Sequence, residues 1–139
     1  MEKIFKQVVC IFPFLRTMSI FIMTETTKNK PFYIFVDVDD TFVRNYGSKR
    51  IPITATIRFL KTIKEQGAIL YCWSSGGAEY AQKSADEFGI AKLFTAFIPK
   101  PQMILDDQKF IEWRNILQVH PLSCSSKTLE DYRLEFKGK

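Results

Sequence analysis

Three carboxylates, Asp37, Asp39 and Asp40, stand within four residues at the end of an apolar run covering residues 32–38. A buried strand that ends in acids holds them rigidly at the rim of a sheet, where like charges repel unless a cation or a shared proton offsets them. Three further polar clusters follow at similar strand ends: Ser74-Ser75-Gly76-Gly77, Lys100 and Asp106-Asp107. Phosphoryl transfer needs a nucleophile, a proton donor for the leaving group, cations to neutralise the phosphoryl oxygens and donors to orient them. Asp37 is placed to be the nucleophile and a metal ligand. Asp39, two residues on, projects to the same side and can protonate the leaving oxygen, then take a proton from the attacking water. Ser74 can donate to a phosphoryl oxygen, and Gly76-Gly77 lets backbone N–H groups approach at a helix N-terminus. Lys100 can offset oxyanion charge. Asp106 and Asp107 would join Asp37 and Asp39 in an oxygen-rich shell suited to Mg²⁺, a hard cation.

Taken singly, each cluster has a plainer reading. Asp37 and Asp39 could be a solvated strand end, Ser74-Ser75-Gly76-Gly77 a turn, Lys100 a surface lysine, and Asp106-Asp107 a helix-capping pair. His120, the single histidine, reads as structural. Tyr46, Lys49 and Arg50 read equally as substrate contacts or as a solvated loop. Convergence of all four clusters on the same strand ends outweighs the separate readings.

The order Asp-x-Asp, Ser, Lys, Asp-Asp over residues 32–120 resembles the four motifs of the haloacid dehalogenase (HAD) superfamily. That resemblance implies a Mg²⁺-dependent phosphomonoester hydrolase working through an aspartyl-phosphate. Asp37 maps to the nucleophile, Asp39 to the general acid/base, Ser74 or Ser75 to the motif-two hydroxyl, Lys100 to the motif-three lysine, and Asp106 or Asp107 to the metal ligand. Asp40, Thr41, Ser75 and Gly76 would line the phosphate. The gaps after Thr41 and before Lys100 are too short for a cap domain. Capless relatives act on macromolecular phosphates or close their site by oligomerising, so the resemblance implies a phosphorylated substrate and allows a homo-oligomer. The class of that substrate (small molecule, nucleic-acid end or phosphoprotein) stays open. The alternative is a non-catalytic HAD-like module that binds phosphate or metal. A receiver-type phosphoacceptor fits less well, because the final acidic pair follows the lysine.

The elements that must position these residues alternate strand and helix. Apolar runs at residues 32–38, 68–73, 93–98, 103–105 and 116–120 read as strands. Residues 54–66 read as a helix capped by Thr54 and stopped by Gly67, and a second helix ends at Gly89. This pattern predicts an α/β fold: a Rossmann-like three-layer sandwich with a mostly parallel sheet of about five strands, helices on both faces and no cap domain. Its ligand site belongs beyond the C-terminal strand ends.

A chain of 139 residues allows one domain with a real core. Apolar residues at 46% and charged residues at 25% are globular proportions, and thirteen Phe point to aromatic packing. The net charge of +5 falls to +3 over residues 24–139, where 17 Lys/Arg face 14 Asp/Glu. No dense basic run marks a nucleic-acid surface. Cys10, Cys72 and Cys124 are too scattered for a disulfide framework or a zinc site, and with no clear membrane partner a reducing cytoplasm is the simplest location. Residues 1–23 are apolar behind Lys3 and Lys6, but Pro13 and Arg16 interrupt them, and the longest unbroken stretch is far short of the roughly 20 residues of a membrane span. The expected organisation is an N-terminal extension over residues 1–30, a catalytic core over 31–122 and a polar tail over 123–139.

Overall fold

The computed structural model describes residues 30–137. β1 (Phe32–Val36) leads into a hairpin of β2 (Val43–Tyr46) and β3 (Lys49–Pro52). Then come α1 (Thr54–Glu65), β4 (Ala68–Ser74), α2 (Ala78–Glu87), β5 (Phe94–Pro99) and, after a long irregular stretch, α3 (Leu129–Lys137). The fold is α/β. β1 and β4 pair in parallel with Phe32 opposite Ala68, and β4 and β5 pair in parallel with Tyr71 opposite Ala96. The hairpin forms a separate two-stranded antiparallel sheet. Among the described residues no helix is long and apolar enough to cross a membrane.

The strand order β1-β4-β5 decides where the helices go. Each crossover advances the chain in the same direction, and right-handed crossovers then place α1 and α2 on one face. The alternation of the strands agrees with this. Val36, Ala68, Leu70, Cys72 and Phe94 form one core with Leu60 and Ile63 of α1 and Ala81 and Ala85 of α2. α3 joins the same side, since Leu129 is part of that core and Phe136 meets the Phe32 ring edge-on at 5.6 Å.

Three expectations are corrected. The parallel sheet has three strands rather than five, and the described helices pack on one face only. Residues 103–105 and 116–120 form no strand. Pro99 ends β5 and Pro101 follows it, and a residue without an N–H cannot extend a ladder. The short apolar runs beyond find no strand to pair with and lie in irregular, mostly exposed chain, with one 3₁₀ turn at Phe110–Glu112. Thr54 does not cap α1: Ile53 holds the cap position, with no side-chain bond.

The segment read as a polar tail closes the core instead. Leu129 and Tyr132 are buried, the Tyr132 hydroxyl donates to the Cys124 carbonyl at 2.9 Å, and Arg133 donates to the Lys30 carbonyl at 2.8 Å. The reading of residues 1–30 as an extension lies, apart from Lys30, outside the described residues.

Candidate active site at the strand ends

The acidic turn after β1 is held from beneath. Val38, Phe42 and Val43 are completely buried. The Val38 carbonyl accepts the N–H groups of Thr41, Phe42 and Val43 at 3.1–3.2 Å, and Asp40 N–H donates to the Val43 carbonyl at 2.7 Å. This winding forces Asp40 to φ +54°, a left-handed conformation that Asp adopts more readily than most residues. The two flanking acids, Asp37 and Asp39, therefore sit on a rigid turn anchored in the core.

β4 supplies the second wall. Ser74 is buried, and its carbonyl accepts the N–H groups of Gly77 (3.0 Å) and Lys100 (2.9 Å). That second bond fastens the end of β5 to the end of β4. It carries Lys100 to Asp37, where Nζ lies 2.8 Å from Oδ2, with both side chains about one third exposed at 33% and 32%. Lys100 Nζ also lies 5.9 Å from the centre of the Trp73 ring. Ser74 Oγ accepts Gly76 N–H at 3.1 Å, which leaves the hydroxyl proton of Ser74 for another acceptor. Gly77, at φ +93°, turns the chain into α2. At Gly76 a Cβ would stand 3.0 Å from the Tyr80 ring, so a side chain here would push that ring aside by a few tenths of an ångström.

Asp39 is oriented through one oxygen. Its Oδ1 accepts from Tyr80 Oη at 2.8 Å and from Asn45 Nδ2 at 2.9 Å. Tyr80 is itself braced by Arg50, whose guanidinium lies 5.3 Å from the centre of the Tyr80 ring and donates to Ser84 Oγ at 2.8 Å and to Glu87. Burial, then the bond to Asp39 and the charge of Asp39, push the Tyr80 phenol above its ordinary pKa, so it remains a donor at neutral pH. Burial and then the charge of Asp37 push the Cys72 thiol up to about 12. Cys72 is thus an inert filler beneath the site.

The structure therefore brings Asp37, Asp39, Ser74 and Lys100 together at the C-terminal ends of the parallel strands. It does not bring Asp106 and Asp107 to them. Both are exposed, and Asp106 Oδ1 closes a local turn on Gln108 N–H at 2.9 Å. Among the described residues no three His, Cys, Asp or Glu side chains form a group able to hold a metal ion. Asp37, Asp39, Asp106 and Asp107, the expected Mg²⁺ shell, are therefore not gathered into one group among the described residues. The N–H groups of Asp40, Thr41 and Gly76 are all donated within the chain, and the Asp40 carboxylate faces Arg44 at 3.8 Å on the surface. Ser75 is exposed beside Ser74.

A family model described as "Protein of unknown function (DUF705)" matches residues 2–115. The chain belongs to the DUF705 family. No curated protein and no solved structure matches it.

For this DUF705 chain, sequence reasoning missed Tyr80 and Asn45, the two residues that hold Asp39. A usable signal existed for Tyr80: an aromatic hydroxyl one turn into the helix that follows Gly76-Gly77 must lie near the neighbouring strand end. Asn45 had none, because nothing local marks an amide on β2 as reaching back to Asp39. Arg50, read as a substrate contact or a solvated loop residue, is a strut between the hairpin and α2.

Proposed function

We propose that this DUF705 chain is a phosphomonoester hydrolase of the HAD type, with Asp37 as its nucleophile. The observation that carries the reading is the meeting of Asp37, Lys100 and Ser74 from three parallel strand ends, with Asp39 on the same turn. An Asp37 oxygen attacks phosphorus as the bond to the leaving oxygen breaks. Asp39, fixed through Oδ1 by Tyr80 and Asn45, presents its other oxygen to deliver a proton to the leaving group. It then takes a proton from the water that hydrolyses the aspartyl-phosphate. Lys100 neutralises charge on the transferred group, and the Ser74 hydroxyl donates to one of its oxygens. Asp37 and Asp39 would hold Mg²⁺ beside the substrate phosphate, where it would neutralise phosphoryl charge; among the described residues Asp106 and Asp107 are not gathered with them.

That same separation favours a second reading, a non-catalytic phosphate-binding module in which Lys100 simply occupies Asp37. A panel of phosphate esters, assayed for phosphate release by the wild type and by Asp37→Asn, separates the two. Release that disappears in Asp37→Asn supports the hydrolase. Binding of phosphate esters without release supports the module. Equal release by both proteins removes Asp37 from the chemistry and ends the proposal.

A further inference from the structure

The second face of the parallel sheet is aromatic and uncovered by any described helix. Tyr33 and Phe35 of β1 are 57% and 49% exposed. They form a continuous ladder with β4: the Phe35 ring stacks on Tyr71 at 5.2 Å and tilts against Trp73 at 5.1 Å, and Tyr33 meets Tyr71 at 6.4 Å. Strand alternation and register put Ile69, Ala96 and Ile98 on the same side. None of these seven residues belongs to the core cluster, which lies wholly on the helical face. A three-stranded parallel sheet with one apolar face left uncovered by the described residues is an unusual state, because parallel sheets are ordinarily covered on both sides.

We propose that the occupant is this chain's own N-terminal segment, residues 4–23. The segment lies immediately before β1, joined to it by the polar stretch 24–30, and is mostly apolar, with Arg16 as its single charge apart from Lys6. Its chemistry matches a surface whose seven named residues are all uncharged, with Lys100 only at its Trp73 edge. The length suffices: even wound as a helix, twenty residues reach about 30 Å, more than the roughly 23 Å of the seven-residue β4. The family match begins at residue 2, so the segment belongs to the family unit. The topology asks for the same thing. β1-β4-β5 sends both crossovers to one side, and chain arriving before β1 is free to take the other. This inference does not depend on the proposed chemistry at the strand ends.

The test places the photo-crosslinker p-benzoylphenylalanine in place of Phe35 in the full chain. That chain is mixed with isotopically heavy wild type, irradiated at low concentration and mapped by mass spectrometry. Cross-links within the light chain to residues 4–23 are expected. Cross-links to the heavy chain would make the face a self-association surface, and an absence of cross-links to the segment would leave it open; either result overturns the proposal. A second measurement leaves the face itself unaltered. In a Trp113→Phe background, acrylamide quenching reports Trp73 alone, and adding Val8→Lys with Phe12→Lys should raise the quenching constant. An unchanged constant overturns the proposal.

Discussion

Two acidic clusters in this chain look alike in sequence and differ in structure. Asp37-Val38-Asp39-Asp40 is stitched to the core, because Val38 and Phe42 between and beyond the acids are fully buried and the Val38 carbonyl gathers three N–H groups. Asp106-Asp107 lies among Met103, Leu105 and Ile111, whose side chains are exposed, the last two at 94% and 91%. The first cluster can hold a fixed geometry, and the second is chained only to its own local turn. What separates them is the fate of the apolar residues in between. A carboxylate is positioned by whatever its neighbours bury.

Substitutions can sharpen or break this contrast. The largest effect is expected at Asp37. Asp37→Asn should lower phosphate release by at least about 10³-fold, in line with removal of a nucleophile, while the thermal midpoint stays near that of the wild type. Asp106→Asn and Asp107→Asn should each keep release within a few-fold of wild type. A loss at Asp107 as deep as at Asp37 would show that the two clusters do work together.

Next in size is the stability gap beneath them. Phe42→Ala should cost about 3–5 kcal/mol by denaturant titration, whereas Leu105→Ala should stay within about 0.5 kcal/mol. Similar costs at the two positions would mean that Leu105 is buried in solution. Tyr80→Phe comes third. It removes one of the two donors to Asp39, and release should fall roughly tenfold with little change in folding; wild-type kinetics would deny Tyr80 its positioning role.

The last effect is confined to high pH and is absent at neutral pH. Burial and the Asp37 charge hold the Cys72 thiol up at about 12 in the folded chain, while an unfolded thiol ionises near 8.5. Between those values unfolding releases a proton, so this residue makes stability fall as pH rises from about 9 toward 12. In Cys72→Ala that part of the slope should vanish, and identical slopes for the two proteins would count against a buried thiol.

The parallel strands were legible because Phe32–Val36 and Ala68–Ser74 are long apolar runs bounded by Pro31, Gly67 and the polar strand ends. The stops at Gly67 and Gly89 were legible for a related reason: both adopt positive φ, which a side chain resists. Residues 103–105 and 116–120 misled because an apolar run of three to five residues states a preference for burial without naming a partner. A strand is a pairwise object, and no described strand pairs with these residues. The hydroxyl of Tyr80 and the amide of Asn45 reach Asp39 from different elements, and no local pattern encodes such a meeting. Four of the expected site residues follow from strand ends alone. The expected metal ligands required the course of an irregular stretch that periodicity does not describe.

Arg50 reaches from β3 to Ser84 and Glu87 of α2, and this has a consequence for traffic through the site. A hairpin staked at its returning strand is braced against swinging away from α2. A phosphate ester at the proposed Asp37 site would meet this braced hairpin, with Tyr46 exposed beside its turn, and would be selected by fit to it. Cutting that stake with Arg50→Ala would remove the brace, and broader tolerance for bulky esters is the sign to look for.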